Sequence, residues 1–245
     1  MTAAAPGDGR PVVAAFDFDG TLTDAGSMLP FLVYIRGVVP VTGALVRHAP
    51  DLVRGGLAGG AAADRSKEAL FTRLLAGQPA DELEKRSIQF AEDHVRRHLR
   101  RDTRARLQWH QDQGHRVVVV SASPESYVRP AAELLGADGV LATRLEVDAG
   151  GRLTGRYEGK NCRGTEKYTR LMGWMRTNGI LGAGNPQPVL WAYGNSRGDV
   201  RLLDAADHPV DAGRLGRLGR LARFPRMSEV DRATGPPAGP RAAGP

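Results

Sequence analysis

Two carboxylates, Asp17 and Asp19, stand two residues apart at the end of the apolar run in VVAAFDFDGTLTDAG, residues 12–26. An unpaired carboxylate at a buried strand is costly, so the pair needs an occupation. Ser121 follows directly on the run VVVV, and Asn195 and Asp199 lie in the loop after VLWAY. Lys167 begins a helical pattern nearby. In open parallel sheets, ligands bind beyond the carboxyl ends of the strands. An isolated D-x-D is a common surface turn. Three strand ends carrying acids, a hydroxyl and an amide, with an amine close by, describe a site for a charged ligand.

The elements that must position these groups follow from patterning. PVVAAFDF reads as a short buried strand, HRVVVVSAS as a strongly β-branched one, and PQPVLWAYGNS as a third. Between and after them lie helical patterns in DTRARLQWHQDQG, PESYVRPAAELLG (with Pro124 in the first turn), GTEKYTRLMGWMRTNG and RGDVRLLDAADH. GVLATRLEVDAGGRLTGRYEG reads as short strands with DAGG as a hairpin turn. This alternation predicts an α/β fold: a Rossmann-like parallel sheet with helices on both faces. Residues 27–100 contain no convincing strand. They hold four helical stretches, with Asp64 and Asp81 expected as N-caps and Gly77 as a C-cap. The expected organisation is a disordered N-terminus over 1–10, a catalytic core over 11–26 and 101–227, a helical cap inserted at 27–100, and a disordered tail over 228–245.

The ordered set DFDGT, VVVVSAS, GTEKY and YGNSRGD resembles the four motifs of the haloacid-dehalogenase-type phosphatases. The helical block after the first motif, with SASPESYV and GKNCRGTEK, is similar to the phosphoserine-phosphatase-like branch, subfamily IB. The resemblance spans roughly residues 12–210. It implies a phosphomonoester hydrolase that uses magnesium. Phosphate monoesters repel nucleophiles through their own charge; a carboxylate held in line with the phosphorus, with a divalent cation neutralising charge, can form an aspartyl-phosphate. By resemblance Asp17 is that nucleophile, and Asp19 the acid that protonates the leaving oxygen and then the base that activates water. Amides around Phe18 and Asp19 cradle phosphate oxygens, Gly20 gives the turn its freedom, and Thr21 orders the loop. Ser121 donates to a phosphate oxygen in the Ser121-Ala122-Ser123 segment, and Lys167 offsets charge on the phosphoryl group and Asp17. Ser123 either lines the pocket or caps the following helix. Lys160 competes with Lys167, but Lys167 fits the branch's G-x-x-K spacing. Asp17, Asp19, Asn195 and Asp199 are the implied metal ligands.

Two positions depart from the family pattern. Asn195 stands where the family carries the first acid of its last motif, which removes one negative charge from the magnesium site. Weaker metal affinity, or a larger share carried by Asp199, is the expected consequence. The alternative is a catalytically impaired phosphate-binding or membrane-surface module that keeps the fold. Gly26 stands where the phosphoserine phosphatases place a glutamate for the substrate ammonium group. Phosphoserine is therefore an unfavourable substrate; a small phosphorylated metabolite or a lipid phosphate is expected instead. The apolar stretch SMLPFLVYIRGVV is either cap packing or a pocket roof.

Composition bounds the rest. The chain has 245 residues, a formal net charge of +7 and one cysteine, Cys162. One cysteine excludes an intramolecular disulfide and fits a reducing cytoplasm. MTAAAPGDGR lacks a signal-peptide pattern, so a cytoplasmic location is expected. The basic balance fits anionic lipid or phosphorylated ligands, or follows from an Arg-rich composition. A nucleic-acid partner is not expected, since aromatics are 6% and no zinc-ligand pattern is present. Over 213–227, GRLGRLGRLARFPRM repeats Arg and Leu every three residues. On a helix these form a basic and an apolar stripe that would pack on the domain or rest on an anionic membrane.

Overall fold

A computed structural model describes residues 9–58, 60–213 and 219–234 of the chain. Five parallel strands form the central sheet in the order β3-β2-β1-β6-β7, where β1 is Val12–Phe16, β2 Arg116–Pro124, β3 Gly139–Thr143, β6 Val189–Gly194 and β7 His208–Asp211. The first three sequence-predicted strands are thus its centre. β7 was not anticipated, because HPVD is short and carries neither alternation nor a long β-branched run.

The strands are near-continuously apolar because helices cover both faces. Val13, Ala15, Val118, Val120, Leu190 and Ala192 face Leu171 and Met175 of α7 (Thr165–Thr177) and Leu202 and Leu203 of α8 (Val200–Asp204). The alternate residues Ala14, Phe16, Val117, Val119, Trp191 and Tyr193 face Leu107 of α5 (Arg101–Asp112) and Tyr127 and Val128 of α6 (Glu125–Leu134). Phe16 stacks on Tyr193 with ring centroids 4.2 Å apart.

Between β1 and α5 the chain forms α1 (Met28–Arg36), α2 (Val38–Ala58), α3 (Gly60–Leu75) and α4 (Ala80–His98). Their apolar residues Phe31, Leu70 and Phe90 belong to the same buried cluster as Phe16 and Tyr127, so block and sheet share one core. Of the apolar run after Gly26, Phe31, Leu32 and Ile35 are buried in this packing, while Leu29, Tyr34, Val38 and Val39 are exposed. The antiparallel hairpin of β4 (Leu145–Val147) and β5 (Leu153–Tyr157) turns at Asp148–Gly151 as predicted. It packs on α3 rather than extending the sheet: the backbone of Gly155, at φ +80°, lies so close to Thr72 that a Cβ would sit 2.3 Å from the Thr72 Cα.

Several local expectations are corrected. Asp64 lies inside α3, which starts earlier, and its carboxylate is used elsewhere. Asp81 sits in the first turn of α4 behind Pro79, where its charge still favours the helix N-terminus. Pro124 ends β2 and occupies the N-cap position of α6 instead of its first turn. Residues 228–234 of the expected tail belong to α9 (Met227–Thr234), because Met227 is buried and Asp231 pairs with the fully buried Arg106. Of the expected disordered N-terminus, residues 1–8 lie outside the described residues, and Arg10 donates to the Gln187 carbonyl at 2.7 Å. Residues 214–218 of the Arg-rich segment lie outside them too. The following Gly219–Arg223 is a 3-10 turn with Leu221 and Phe224 packed against the sheet-side core and Arg223 paired to Asp204. In this part Leu221 and Phe224 pack inward. Among the described residues, no helix is long and apolar enough to cross a membrane.

Candidate active site

Parallel register brings the predicted residues to one edge. Phe16 is level with Val119 on one side and Tyr193 on the other. Asp17, Ser121 and Asn195 therefore leave three adjacent strands within two residues of that level. Lys167, in the first turn of α7, reaches the same edge. Its Nζ donates to Asp17 Oδ1 and Asp199 Oδ1, each at 2.6 Å. All three side chains are buried, with Lys167 2% and Asp199 1% exposed. Lys160, by contrast, is exposed.

Burial, and then the Asp199 carboxylate, push the Asp17 pKa up to about 7 against the pull of Lys167. Lys167 loses solvent, which alone would lower its pKa, yet Asp17 and Asp199 hold it above the usual lysine range. The ammonium therefore stays charged and serves two acids. Asp17 Oδ2 accepts from the Thr21 hydroxyl at 3.2 Å, and the buried Thr21 is pinned in turn by Thr103, whose hydroxyl donates to its carbonyl at 2.9 Å. The Phe18 carbonyl accepts the Thr21 and Thr23 amides, closing the loop, while its ring is buried.

Asp19 is oriented by both of its oxygens: Oδ1 accepts the Ser27 amide at 2.7 Å, and Oδ2 accepts the Ser123 hydroxyl. Ser123 is thus a site residue; α6 has no side-chain cap. Ser27 also donates to the Tyr127 hydroxyl at 2.9 Å, which ties the loop before α1 to α6. Ser121 Oγ accepts the Ser123 amide at 3.1 Å. A hydroxyl keeps its own hydrogen to donate, and among the described residues it has no acceptor. The Ala122 carbonyl accepts the Thr143 hydroxyl at 3.2 Å, holding the segment flat against β3.

The four expected metal ligands are not equivalent. Asp199 Oδ1 is taken by Lys167, and Oδ2 accepts the Asn195 and Ser196 amides and the Ser196 hydroxyl, at 3.2, 2.9 and 2.7 Å. Asp199 thus holds Lys167 and its own loop. The Asp19 carboxylate is likewise engaged by Ser27 and Ser123. Among the described residues, no group of three His, Cys, Asp or Glu side chains is arranged to hold a metal ion. Asp17 is engaged too, by Lys167 and Thr21, whereas Asn195 Oδ1 is buried without a hydrogen-bond partner. Magnesium takes one or two carboxylates with further oxygens and waters. A buried orphan amide oxygen beside a carboxylate of raised pKa fits that ion. Gly20 permits the arrangement: at φ +79°, a Cβ there would lie 1.9 Å from Asn195 Nδ2.

The structure adds residues that the motifs did not reveal. Asn161, buried before α7, donates to Asp64 at 2.7 Å and accepts the Thr143 hydroxyl at 2.7 Å. Arg163 lies 3.9 Å from the same Asp64 oxygen. Burial and the charge of Arg163 lower the pKa of Lys67, one turn beyond Asp64 on α3, against the pull of Asp19, Asp64 and Asp17. The only sequence signal was polar spacing within DRSKEALF, which equally describes a solvated helix face.

Fold and strand-edge site together define a hydrolase of one family. The haloacid dehalogenase-like hydrolase model matches residues 14–204, and the chain belongs to that family. It is 35% identical over 204 residues to protein CicA of Caulobacter vibrioides, covering 81% of this chain and 84% of that one. It is 29% identical over 138 residues to a histidinol-phosphatase of Neisseria meningitidis, covering 56% of this chain and 60% of the relative. The structure of a phospho-aspartyl intermediate analogue of phosphoserine phosphatase shares the fold, with a TM-score of 0.57 at 21% identity over 82% of this chain and 86% of that one.

Proposed function

We propose that the protein is a magnesium-dependent phosphomonoester hydrolase working through an aspartyl-phosphate on Asp17. The observation that carries this reading is the buried Lys167 bridging Asp17 and Asp199 at 2.6 Å each, with a second oriented acid, Asp19, two residues from the first. Lys167 holds Oδ1 of Asp17, and Oδ2, bonded only by Thr21 among the described residues, is the oxygen with electron pairs to attack phosphorus. As the Asp17–phosphorus bond forms, the ester P–O bond breaks and Asp19 delivers a proton to the departing oxygen. Water then attacks phosphorus, Asp19 takes its proton, and the Asp17–phosphorus bond breaks to release phosphate. Ser121 and the loop amides after Asp17 orient the phosphoryl oxygens, and Lys167 offsets their charge. Asp17 and Asn195 would hold the magnesium ion, which supplies charge neutralisation at the phosphoryl group.

The substrate class is a small phosphorylated metabolite or a lipid phosphate. An aminoalkyl phosphate is disfavoured, because Gly26 is exposed with open space about it and offers no acid to an ammonium group. The test is hydrolysis of 4-nitrophenyl phosphate with and without magnesium, by the parent and by Asp17→Asn. We expect magnesium-dependent turnover lost in the variant, and a beryllium-fluoride adduct on Asp17. Equal rates in the two proteins would replace the enzyme with the phosphate-binding module.

A further inference from the structure

The first turns of helix α2 are apolar on both faces. Val41 and Ala44 are buried against the core, with Leu45 packed beside them. Val39 and Val46, seven residues apart and so on one face, point the other way and are 82% and 71% exposed; Val38 is 64% exposed at the corner with α1. A helix face turned to water is ordinarily polar. The corner is held in place from two sides. Gly37 turns it at φ +81° and its amide donates to the Val33 carbonyl at 2.7 Å, while Arg86 of α4 donates to the Tyr34 and Ile35 carbonyls at 2.5 and 2.9 Å.

Beside these valines lies a concavity of about 780 Å³, lined by Arg36 of α1, Val46 and Arg47 of α2 and Arg73 of α3. All three arginines are exposed. No acid lines the concavity, and residues 28–50 contain none. Among the described residues, no carboxylate pairs with any of the three guanidinium groups. The concavity shares no residue with the strand-edge site, so these cations do not serve the substrate there. Guanidinium groups beside an apolar ridge match a layer of lipid phosphates above hydrocarbon. A second copy of the chain is a poor occupant, because a two-fold contact would bring two sets of these arginines together. We propose that the α1–α2 corner docks the protein on an anionic lipid bilayer, with lipid phosphates in the arginine-lined concavity and Val38, Val39 and Val46 at the acyl boundary. The docking is peripheral, since no helix among the described residues is long and apolar enough to cross a membrane. It stands independently of the phosphatase reading.

The test is flotation of the full chain with vesicles of mixed phosphatidylglycerol and phosphatidylcholine, and with vesicles of phosphatidylcholine alone. Binding should require phosphatidylglycerol. Each cation at an anionic surface contributes about fivefold, so Arg36→Gln/Arg47→Gln/Arg73→Gln should weaken binding by about a hundredfold. Val39→Ser/Val46→Ser should weaken it by at least about tenfold. The charge-matched control Arg101→Gln/Arg104→Gln/Arg176→Gln removes three exposed arginines elsewhere and should bind nearly as the parent does. No binding to the phosphatidylglycerol vesicles overturns the proposal. Equal loss in the control also overturns it, and assigns the binding to the net charge of the chain. A dimer in sedimentation equilibrium that Val39→Ser/Val46→Ser dissociates would overturn it by giving the face to a second copy. Should a variant fail to fold, amide hydrogen exchange of the parent decides: vesicles should slow exchange within residues 37–47, and protection found only elsewhere refutes the docking face.

Discussion

Gly20→Ala probes the closest approach in the site. Gly20 has φ +79°, and its Cβ position lies 1.9 Å from Asn195 Nδ2 and 3.1 Å from its Cγ. The loop cannot easily retreat, because the buried Arg100 donates to the Gly20 carbonyl at 2.8 Å and to the Ala212 carbonyl at 2.5 Å. Left-handed backbone costs an L-residue about 1–2 kcal/mol, and overpacking about 1–3 kcal/mol. The sum, about 2–5 kcal/mol, corresponds to a melting temperature lower by about 4–20 °C in a chain of this size. The methyl displaces Asn195, so magnesium-dependent hydrolysis should fall by about a hundredfold, as misplacement of a site group by an ångström does. Thermal melting with a parallel 4-nitrophenyl phosphate assay measures both. The double variant Gly20→Ala/Asn195→Gly removes the collision and keeps the backbone strain. It should recover stability to within about 1–2 kcal/mol of the parent without recovering activity. A Gly20→Ala protein that melts and turns over like the parent would refute the wedge between Gly20 and Asn195. A double variant as unstable as the single one would do the same.

Two further outcomes follow from the same coordinates. Asn195→Asp should lower the magnesium concentration for half-maximal activity, because it turns a buried, unpartnered amide oxygen into a carboxylate; without magnesium it should melt lower than the parent, since a third acid then crowds Asp17 and Asp199. An unchanged magnesium titration would show that Asn195 is not a ligand. His110 should contribute a stability that rises with pH up to about 6.5, the unfolded histidine value, and levels off above it, against the opposite slope of Asp17, whose folded pKa of about 7 costs stability as pH rises toward that value. Burial holds the His110 pKa well below its ordinary value, with help from the charges of His115, Arg106 and His208, so the unfolded chain binds a proton that the folded chain refuses. Urea denaturation between pH 5.5 and 7.5 measures this dependence, and His110→Gln should remove the rising contribution; an equal slope in both proteins would assign the effect elsewhere.

The residues closest to the chemistry were legible because each adjoins a strand. Asp17, Ser121 and Asn195 follow apolar runs whose lengths the sequence displays, and the parallel sheet needs only register to bring three such ends together. Lys167 was identified by spacing within its own motif. Those features are local, and the sequence alone determined them along with the family. What Asp199 and Asp19 do with their oxygens was not local. Lys167, 32 residues before Asp199, takes one oxygen of that acid, and Ser123, 104 residues from Asp19, takes one of the other. Strand β7 and helix α9 escaped for a similar reason: HPVD is stabilised by pairing with β6, and α9 by burial of Met227 and the pair between Arg106 and Asp231. Asp64 shows the limit most clearly. Its contact with Asn161 depends on the rotation of α3, which meets Gly155 at Thr72 across 83 residues of chain. A helical pattern shows which residues share a face, but the direction that face points is decided by what packs against it.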